Sequence, residues 1–277
     1  MNDVERAFGF LRLNERPGKP RTRGVTEIRG PYYNAYGRRH LEDVLETMGA
    51  YVDTLKYAGG SYALMPRPVV RELNDLCHTH EVEVSTGGFL EYVLTQGAEA
   101  VDRYLAECRE LGFDIVEISS GFVAIPLDDL VALTKAVQKA GLKAKPEVGI
   151  QFGAGGASTV EALEAEGARD VGWAIELAKR QLDAGAHMIM IESEGITEQV
   201  REWRTDVIAR IASELGLESI MFEAAEPEVF AWYVKNYGPE VNLFVDHSQI
   251  VQLECLRAGI WGTHDLWGRV HTYRPPP

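Results

Sequence analysis

A chain of 277 residues with 45% hydrophobic side chains has enough apolar material for one large core. Its formal net charge of −14 argues against nucleic acid and against an anionic membrane surface as partners, because both are held by clustered Lys and Arg. No apolar run approaches the roughly 20 residues of a spanning helix, and residues 1–9 lack the charged and apolar regions of a signal peptide, so the expected location is the cytoplasm. Cys77, Cys108 and Cys255 are isolated, odd in number and without C-x-x-C spacing, which points to inert thiols rather than disulfides or a zinc site.

Residues 1–23 are rich in Arg, Lys, Pro and Asn and can bury little apolar surface. They read as a basic arm that lies over the body of the protein or reaches a neighbouring copy, which leaves a homo-oligomer open. A strand is expected over 25–29, followed by Gly30 and Pro31, an aromatic loop with Tyr32, Tyr33 and Tyr36, and a helix over 39–48. A second strand over 52–56 ends at Lys56 and opens into a turn-prone stretch, and Pro66 suits the first turn of a helix running to about 80. The third strand, 81–85, alternates cleanly and meets Thr86, Gly87 and Gly88, where bare backbone amides can approach an anion; a helix follows over 98–111. Strand 115–119 leads through Gly121 and Pro126 into a helix ending at 140. Strand 144–149 empties into Gly153, Gly155 and Gly156, and the connection to about 167 reads as the longest irregular one, a lid or ligand loop. Helix 170–184, strand 187–192, helix 198–215, strand 220–223, helix 226–237, strand 241–246 and helix 249–258 complete the series. Eight strands, each followed by a helix, with crossovers long enough for parallel pairing, predict an α/β protein: a single (β/α)8 TIM barrel over 24–258. The tail, 259–277, carries Trp261, His264 and Trp267 and ends in Pro275, Pro276 and Pro277.

Lys56, Glu117, Lys145, Glu147, Glu192 and Glu223 all fall at or near the carboxyl ends of these strands. In a parallel barrel those ends share one face, where such groups converge on a pocket. Alternation places Ser119 on the side of Glu117, Lys145 on that of Glu147 and Met190 on that of Glu192. Glu117, Glu147 and Glu192 lie on adjacent strands and make a set suited to Mg²⁺, a hard cation that takes oxygen ligands; equally, each can pair with a Lys or Arg in the barrel mouth. Zinc is not expected without Cys or His ligands. Lys56 and Lys145 are candidate catalytic groups, as proton donors, phosphate partners or Schiff-base lysines, or else members of structural ion pairs with Glu117 or Glu147. Arg29 either grips a carboxylate or phosphate or ties down the acidic rim. His247, beside Asp246 at the top of the last strand, is better placed than His78 and His80, which read as solvated or capping; Trp173, Trp203 and Trp232 sit in amphipathic helices as packing residues.

The chain resembles the phosphosulfolactate synthase family in Gly24-Val-Thr26, Leu55-Lys56, Thr86-Gly-Gly88, Glu117-Ile-Ser119 with Gly121, Glu147-Val-Gly149, Ile191-Glu192, Phe222-Glu223-Ala224, Asn242-Leu243 and Leu253-Glu-Cys-Leu-Arg257. It is more similar still to that superfamily's plant heat-stress-associated 32-kDa branch, through Thr26-Glu-Ile-Arg29, Leu142-Lys-Ala-Lys-Pro146, Met188-Ile-Met-Ile191 and the run from Val241 to Gln249. The resemblance implies a (β/α)8 barrel that joins sulfite to phosphoenolpyruvate with Mg²⁺ in coenzyme M biosynthesis. It further implies that Thr26, Arg29, Gly87, Gly88, Ser119, Glu223 and His247 contact substrate around the lysines and the metal-binding glutamates. The chain departs from the archaeal pattern at Gly30-Pro31-Tyr32, Gln151-Phe152 and Ser193-Glu194, where anion-binding cations stand in the synthases. Two further readings stand beside this one: a non-catalytic, stress-related or partner-binding barrel, which the plant resemblance allows, and a barrel lyase or lysine-dependent aldolase with another phosphorylated or carboxylate substrate.

Overall fold

The computed structural model describes residues 6–156, 158–262 and 269–273, so His264, Trp267 and the terminal prolines lie outside the described residues. Eight parallel strands close into a barrel in sequence order: β1 (Thr26–Arg29), β2 (Thr54–Lys56), β3 (Glu83–Ser85), β4 (Ile115–Ile118), β5 (Lys143–Val148), β6 (Ile189–Ile191), β7 (Ile220–Glu223) and β8 (Leu243–Asp246). Around them run α1 (Arg38–Met48), α2 (Arg67–Thr79), α3 (Leu90–Leu94), α4 (Ala98–Leu111), α5 (Leu127–Lys139), α6 (Val160–Glu166), α7 (Val171–Asp183), α8 (Thr205–Leu215), α9 (Pro227–Tyr237) and α10 (Ile250–Arg257). No helix among the described residues is long and apolar enough to cross a membrane.

Local chemistry explains most of these boundaries. Helix α2 has Pro68 in its first turn and buries Val70, Leu73, Leu76 and Cys77 at the three- and four-residue spacing of one helical face. Helix α4 stops where Gly112 takes a left-handed φ of +83°, which lets its N–H turn back onto the carbonyls of Cys108 and Arg109. Two segments differ from the expected pattern. The connection after β5 is not wholly irregular: Thr159 accepts a hydrogen bond from the Ala162 amide at 3.2 Å and starts the short α6. The helix expected from 198 begins only at Thr205, because the Ser193 carbonyl gathers the amides of Ile196, Thr197 and Glu198 and Gln199 takes a positive φ of 52°.

The strands carry two different faces. Ile28, Leu55, Val84, Val116, Ile189, Phe222 and Val245 point outward into one large apolar layer shared with the helices. Inside the barrel the apolar cluster is small: Val25, Met188, Met190, Met221 and Phe244. The described residues before β1 form no helix or strand and are tied across the amino-terminal mouth, with Arg16 on Glu254 at 2.9 Å, Arg21 on Asp53 at 2.8 Å and Asn14 donating to the Arg257 and Val270 carbonyls. Beneath it lies a cavity of about 430 Å³ whose lining includes Val25, Met188, Met221 and Lys145.

Candidate active site

Alternation along each strand turns every second side chain into the barrel, and the register sets which of them meet. Arg29 stands opposite Lys56 and Asp246, Glu117 opposite Lys145, Glu147 opposite Met190 and Glu223 opposite Phe244. At the carboxyl-terminal mouth lies a cavity of about 590 Å³ that Arg29, Lys56, Glu117, Glu147, Glu192 and Glu223 all line. Lys56 Nζ lies 2.9 Å from Glu117 Oε2 and 3.2 Å from Glu147 Oε2, under the face of Phe244 at 4.5 Å. Glu117 Oε2 also sits 3.2 Å from Lys145 Nζ, which holds both oxygens of the buried Glu27 at 2.6 Å. A chain of alternating charges thus runs along the barrel axis, from Glu27 through Lys145, Glu117 and Lys56 to Glu147.

The carboxylates fall into two classes. Burial disfavours the charged form of Glu117, but Lys56 and Lys145 outweigh it and hold this carboxyl below its ordinary range. Burial together with the Glu117 charge pushes Glu147 up to about 8, and burial with the charges of Glu223 and Glu147 drives Glu192 well above its usual value. Burial also raises Glu223, against the pull of Lys56 and Arg29. Burial works against the ammonium of Lys56, yet Glu117 and Glu147 prevail and keep it charged far above the ordinary lysine range. One ligand oxygen each from Glu147, Glu192 and Glu223 lies within 4.8 Å of the others. This set fits a hard divalent cation: all donors are oxygen, the three repel one another when charged, and Glu117 Oε1 beside them makes no hydrogen bond. Space for it is kept by Gly155, where an added Cβ would stand 2.7 Å from Glu192 Oε2.

The expected metal set grouped Glu117 with Glu147 and Glu192; the geometry instead brings Glu223 to those two and gives Glu117 to the lysines. Arg29 ties the acidic rim, with Nη2 on Glu223 at 2.8 Å and Nη1 on the Tyr33 hydroxyl at 2.7 Å, and its Nε makes no hydrogen bond. Lys145 does not line the upper cavity and opens toward the lower one. Thr26 is at the opposite end of the barrel from the pocket: it begins β1, is fully buried, and meets Arg257 Nη1 through its hydroxyl at 2.5 Å. Gly88 and Ser119 line the pocket, whereas Gly87 is needed by the backbone, since its φ is +64° and a Cβ would lie 2.1 Å from the Tyr57 carbonyl. His247 is beside the pocket rather than in it, its ring 5.1 Å from Tyr36 and 5.3 Å from His40, and burial lowers its proton affinity. His78 is paired with Asp114 at 2.8 Å, and Trp203 packs edge-on against Trp232.

Four carboxylates that build the surroundings of the pocket carry no mark in the sequence pattern or were passed over in it. Glu27 shares the inward parity of Arg29 and was legible from it. Glu91 comes from α3 and accepts from Ser119 Oγ at 2.6 Å and from the Gly121 and Phe122 amides at 3.0 and 2.8 Å, so it shapes the loop after β4. Glu194 receives the Gly155 amide at 2.9 Å, and Glu198 the Ser193 hydroxyl at 2.8 Å. No periodicity marks these three, because each lies beyond the end of a strand.

Comparison with known proteins places this geometry among relatives. The family profile described as (2R)-phospho-3-sulfolactate synthase (ComA) matches residues 14–263. The heat-stress-associated 32 protein of Arabidopsis thaliana is 39% identical over 258 residues, covering 90% of each chain. A phosphosulfolactate synthase of Methanothermobacter thermautotrophicus is 28% identical over 272 residues, covering 96% of this chain and 99% of the synthase. Among solved structures, 2,3-dimethylmalate lyase, of the PEP mutase/isocitrate lyase superfamily, aligns over 80% of this chain and 75% of its own with a TM-score of 0.51; at 13% identity it shares the fold alone.

Proposed function

The chain belongs to the (2R)-phospho-3-sulfolactate synthase family, and from that membership and the chemistry of the pocket we propose a metal-assisted lyase that adds sulfite to phosphoenolpyruvate or a close relative. The observation that carries the proposal is the convergence of Glu147, Glu192 and Glu223 within 4.8 Å beside the buried ammonium of Lys56. Glu147, Glu192 and Glu223 would hold Mg²⁺, which when bound supplies positive charge to the substrate carboxylate as electrons move toward it. Sulfite sulfur forms the new bond to the methylene carbon, the C2–C3 π pair moves to C2, and Lys56 Nζ delivers a proton there. Glu117 and Glu147 keep that ammonium charged and aimed, and the unpaired Arg29 Nε–H offers a donor to the substrate's anionic end. Lys145, held by Glu27 and Glu117 outside the pocket, positions Glu117 rather than touching substrate.

Incubation with phosphoenolpyruvate, sulfite and Mg²⁺, followed by loss of the enol absorbance, tests this directly. Turnover is expected in wild type and a loss of about 10²–10⁴-fold in Lys56→Met. No turnover at high enzyme concentration overturns the lyase reading. One observation favours a rival. The side chains of Gln151 and Ser193, at positions where the archaeal pattern carries cations, donate to the Leu163 carbonyl and to acidic neighbours and bring no positive charge for a phosphorylated substrate. The rival is a barrel that binds a partner without chemistry, in line with the stress association in the plant relative's name. Calorimetry separates the two: Mg²⁺ binding lost in Glu147→Gln and Glu192→Gln supports the lyase, and no Mg²⁺ binding by wild type supports the scaffold.

A further inference from the structure

The charged floor does not account for the upper half of the pocket. Its mouth is ringed by Tyr32, Tyr33, Phe89, Tyr92 and Phe122, all lining the same cavity. Tyr32, Tyr33, Tyr92 and Phe122 are 55%, 70%, 61% and 52% exposed. Solvent-facing rings in one patch are costly to keep in water and commonly mark a place where something apolar binds.

The ring of aromatics is built, because the backbone gives way to it at three points. A Cβ at Gly59 would lie 2.9 Å from the Tyr32 ring, one at Gly60 2.1 Å from Phe89, and one at Gly156 2.3 Å from Phe122. Gly59 and Gly60 also take left-handed angles, but Gly156 does not, so contact with Phe122 is what excludes a side chain there. The rings come from three separate connections, those after β1, β3 and β4, and meet only in the folded barrel. They also hold one another: Phe89 stacks on Tyr92 with centroids 5.5 Å apart, and Tyr32 meets Tyr33 edge-on at 5.1 Å. The Phe122 amide is pinned at 2.8 Å by Glu91, whose carboxylate lines the same cavity. A cavity of about 590 Å³ falls in the range that holds ligands well beyond a three-carbon acid.

We propose that this aromatic mouth is a specificity subsite, and that the substrate class is a carboxylate with a planar apolar group on the carbon remote from the carboxylate. The carboxylate end goes down to the charged floor and the apolar group stacks among Phe89, Tyr92 and Phe122. The proposal rests on the metal-assisted reading of the floor given above, and its test separates the two.

Pyruvate and phenylpyruvate carry the same carboxylate and C2 oxygen and differ by one phenyl ring. Their binding to the full chain is measured by calorimetry with and without Mg²⁺, for wild type, Tyr92→Ala and Phe122→Ala. Wild type with Mg²⁺ is expected to bind phenylpyruvate at least about tenfold tighter than pyruvate, since stacking on two rings is worth roughly that much. In each variant that ratio is expected to shrink toward one. Tyr92 is on the surface of α3, so its variant reports on the subsite even where Phe122→Ala disturbs the loop. Equal affinities in wild type, or a ratio that both variants leave intact, overturn the subsite. Affinities for both acids that are the same with and without Mg²⁺ and in Glu147→Gln, with the phenylpyruvate preference intact, overturn the reading of the floor while leaving the subsite standing. Failure of wild type to bind either acid overturns both.

Discussion

The outward and inward faces of the same eight strands follow opposite rules. Outward, Ile28, Leu55, Val116, Ile189 and Phe222 join the helices in a layer where almost any well-shaped apolar side chain serves, each contributing roughly 1.5–3 kcal/mol by burial. Inward, five apolar residues share the barrel with Glu27, Lys56, Glu117 and Lys145, all at most 6% exposed. Burying charges costs more than it returns unless every partner is in place, and apolar replacements of a whole buried pair are often neutral or stabilising. The outer layer therefore explains why the chain folds, and the inner one is stability given up for something else. Among the described residues the inner face holds the carboxylate group suited to a metal, and the proposed Mg²⁺ site would give that sacrifice a use.

The contrast breaks most sharply at Lys145. Lys145→Met leaves Glu27 buried without its ammonium and Glu117 with Lys56 alone, and chemical denaturation should show a loss of about 3–5 kcal/mol. Adding Glu27→Gln should recover a large part of it, whereas a double variant no better than the single one would mean that Glu27 and Lys145 are not coupled as the 2.6 Å contact requires.

A second test uses pH. Glu147 is pushed up to about 8 in the fold from an ordinary 4.5, so between those values the folded chain binds a proton that the unfolded chain releases. Stability from this group is complete below about pH 4.5 and is lost as pH rises through about 8. Metal-free wild type should thus lose several degrees of Tm between pH 5.5 and 8.5, and Glu147→Gln should flatten much of that slope. A slope that Glu147→Gln leaves unchanged would show that the carboxylates do not repel as the geometry indicates. Added Mg²⁺ should raise Tm at the upper pH in wild type and do so less in Glu192→Gln.

The smallest effect belongs to the outer layer. Ile189→Val removes one methyl group from the sheet–helix interface and should cost about 0.5–1.5 kcal/mol. Its Mg²⁺-dependent gain in Tm should match wild type. A change in that gain would mean that the two faces are mechanically linked, and that the division drawn between them is too clean.

The fold was legible in the residues because apolar strand runs recur eight times, proline stands at the starts of α2, α5 and α9 and glycine at the ends of α1, α4, α6, α8 and α9, and each is a local event of the chain. The inward parity of Lys56, Glu117, Glu147, Glu192 and Glu223 was equally local, since a strand turns every second side chain the same way. Which three of those glutamates converge was not. It depends on the tilt and stagger of strands around the closed barrel, which bring Glu223 of β7 to Glu147 and Glu192 while Glu117, one strand before Glu147, is drawn onto Lys56 and Lys145. Lys145 stands on the right strand but too low on it, and depth along a barrel axis has no signature in a linear chain; Thr26 has the outward parity of Ile28 and meets Arg257 of α10. Glu91 and the aromatic mouth belong wholly to tertiary structure: residues 32, 92, 122 and 156 meet because four connections of unrelated sequence, those after β1, β3, β4 and β5, end over one opening. A sequence carries the period of its own backbone, and only closure of the barrel decides which distant periods come into register.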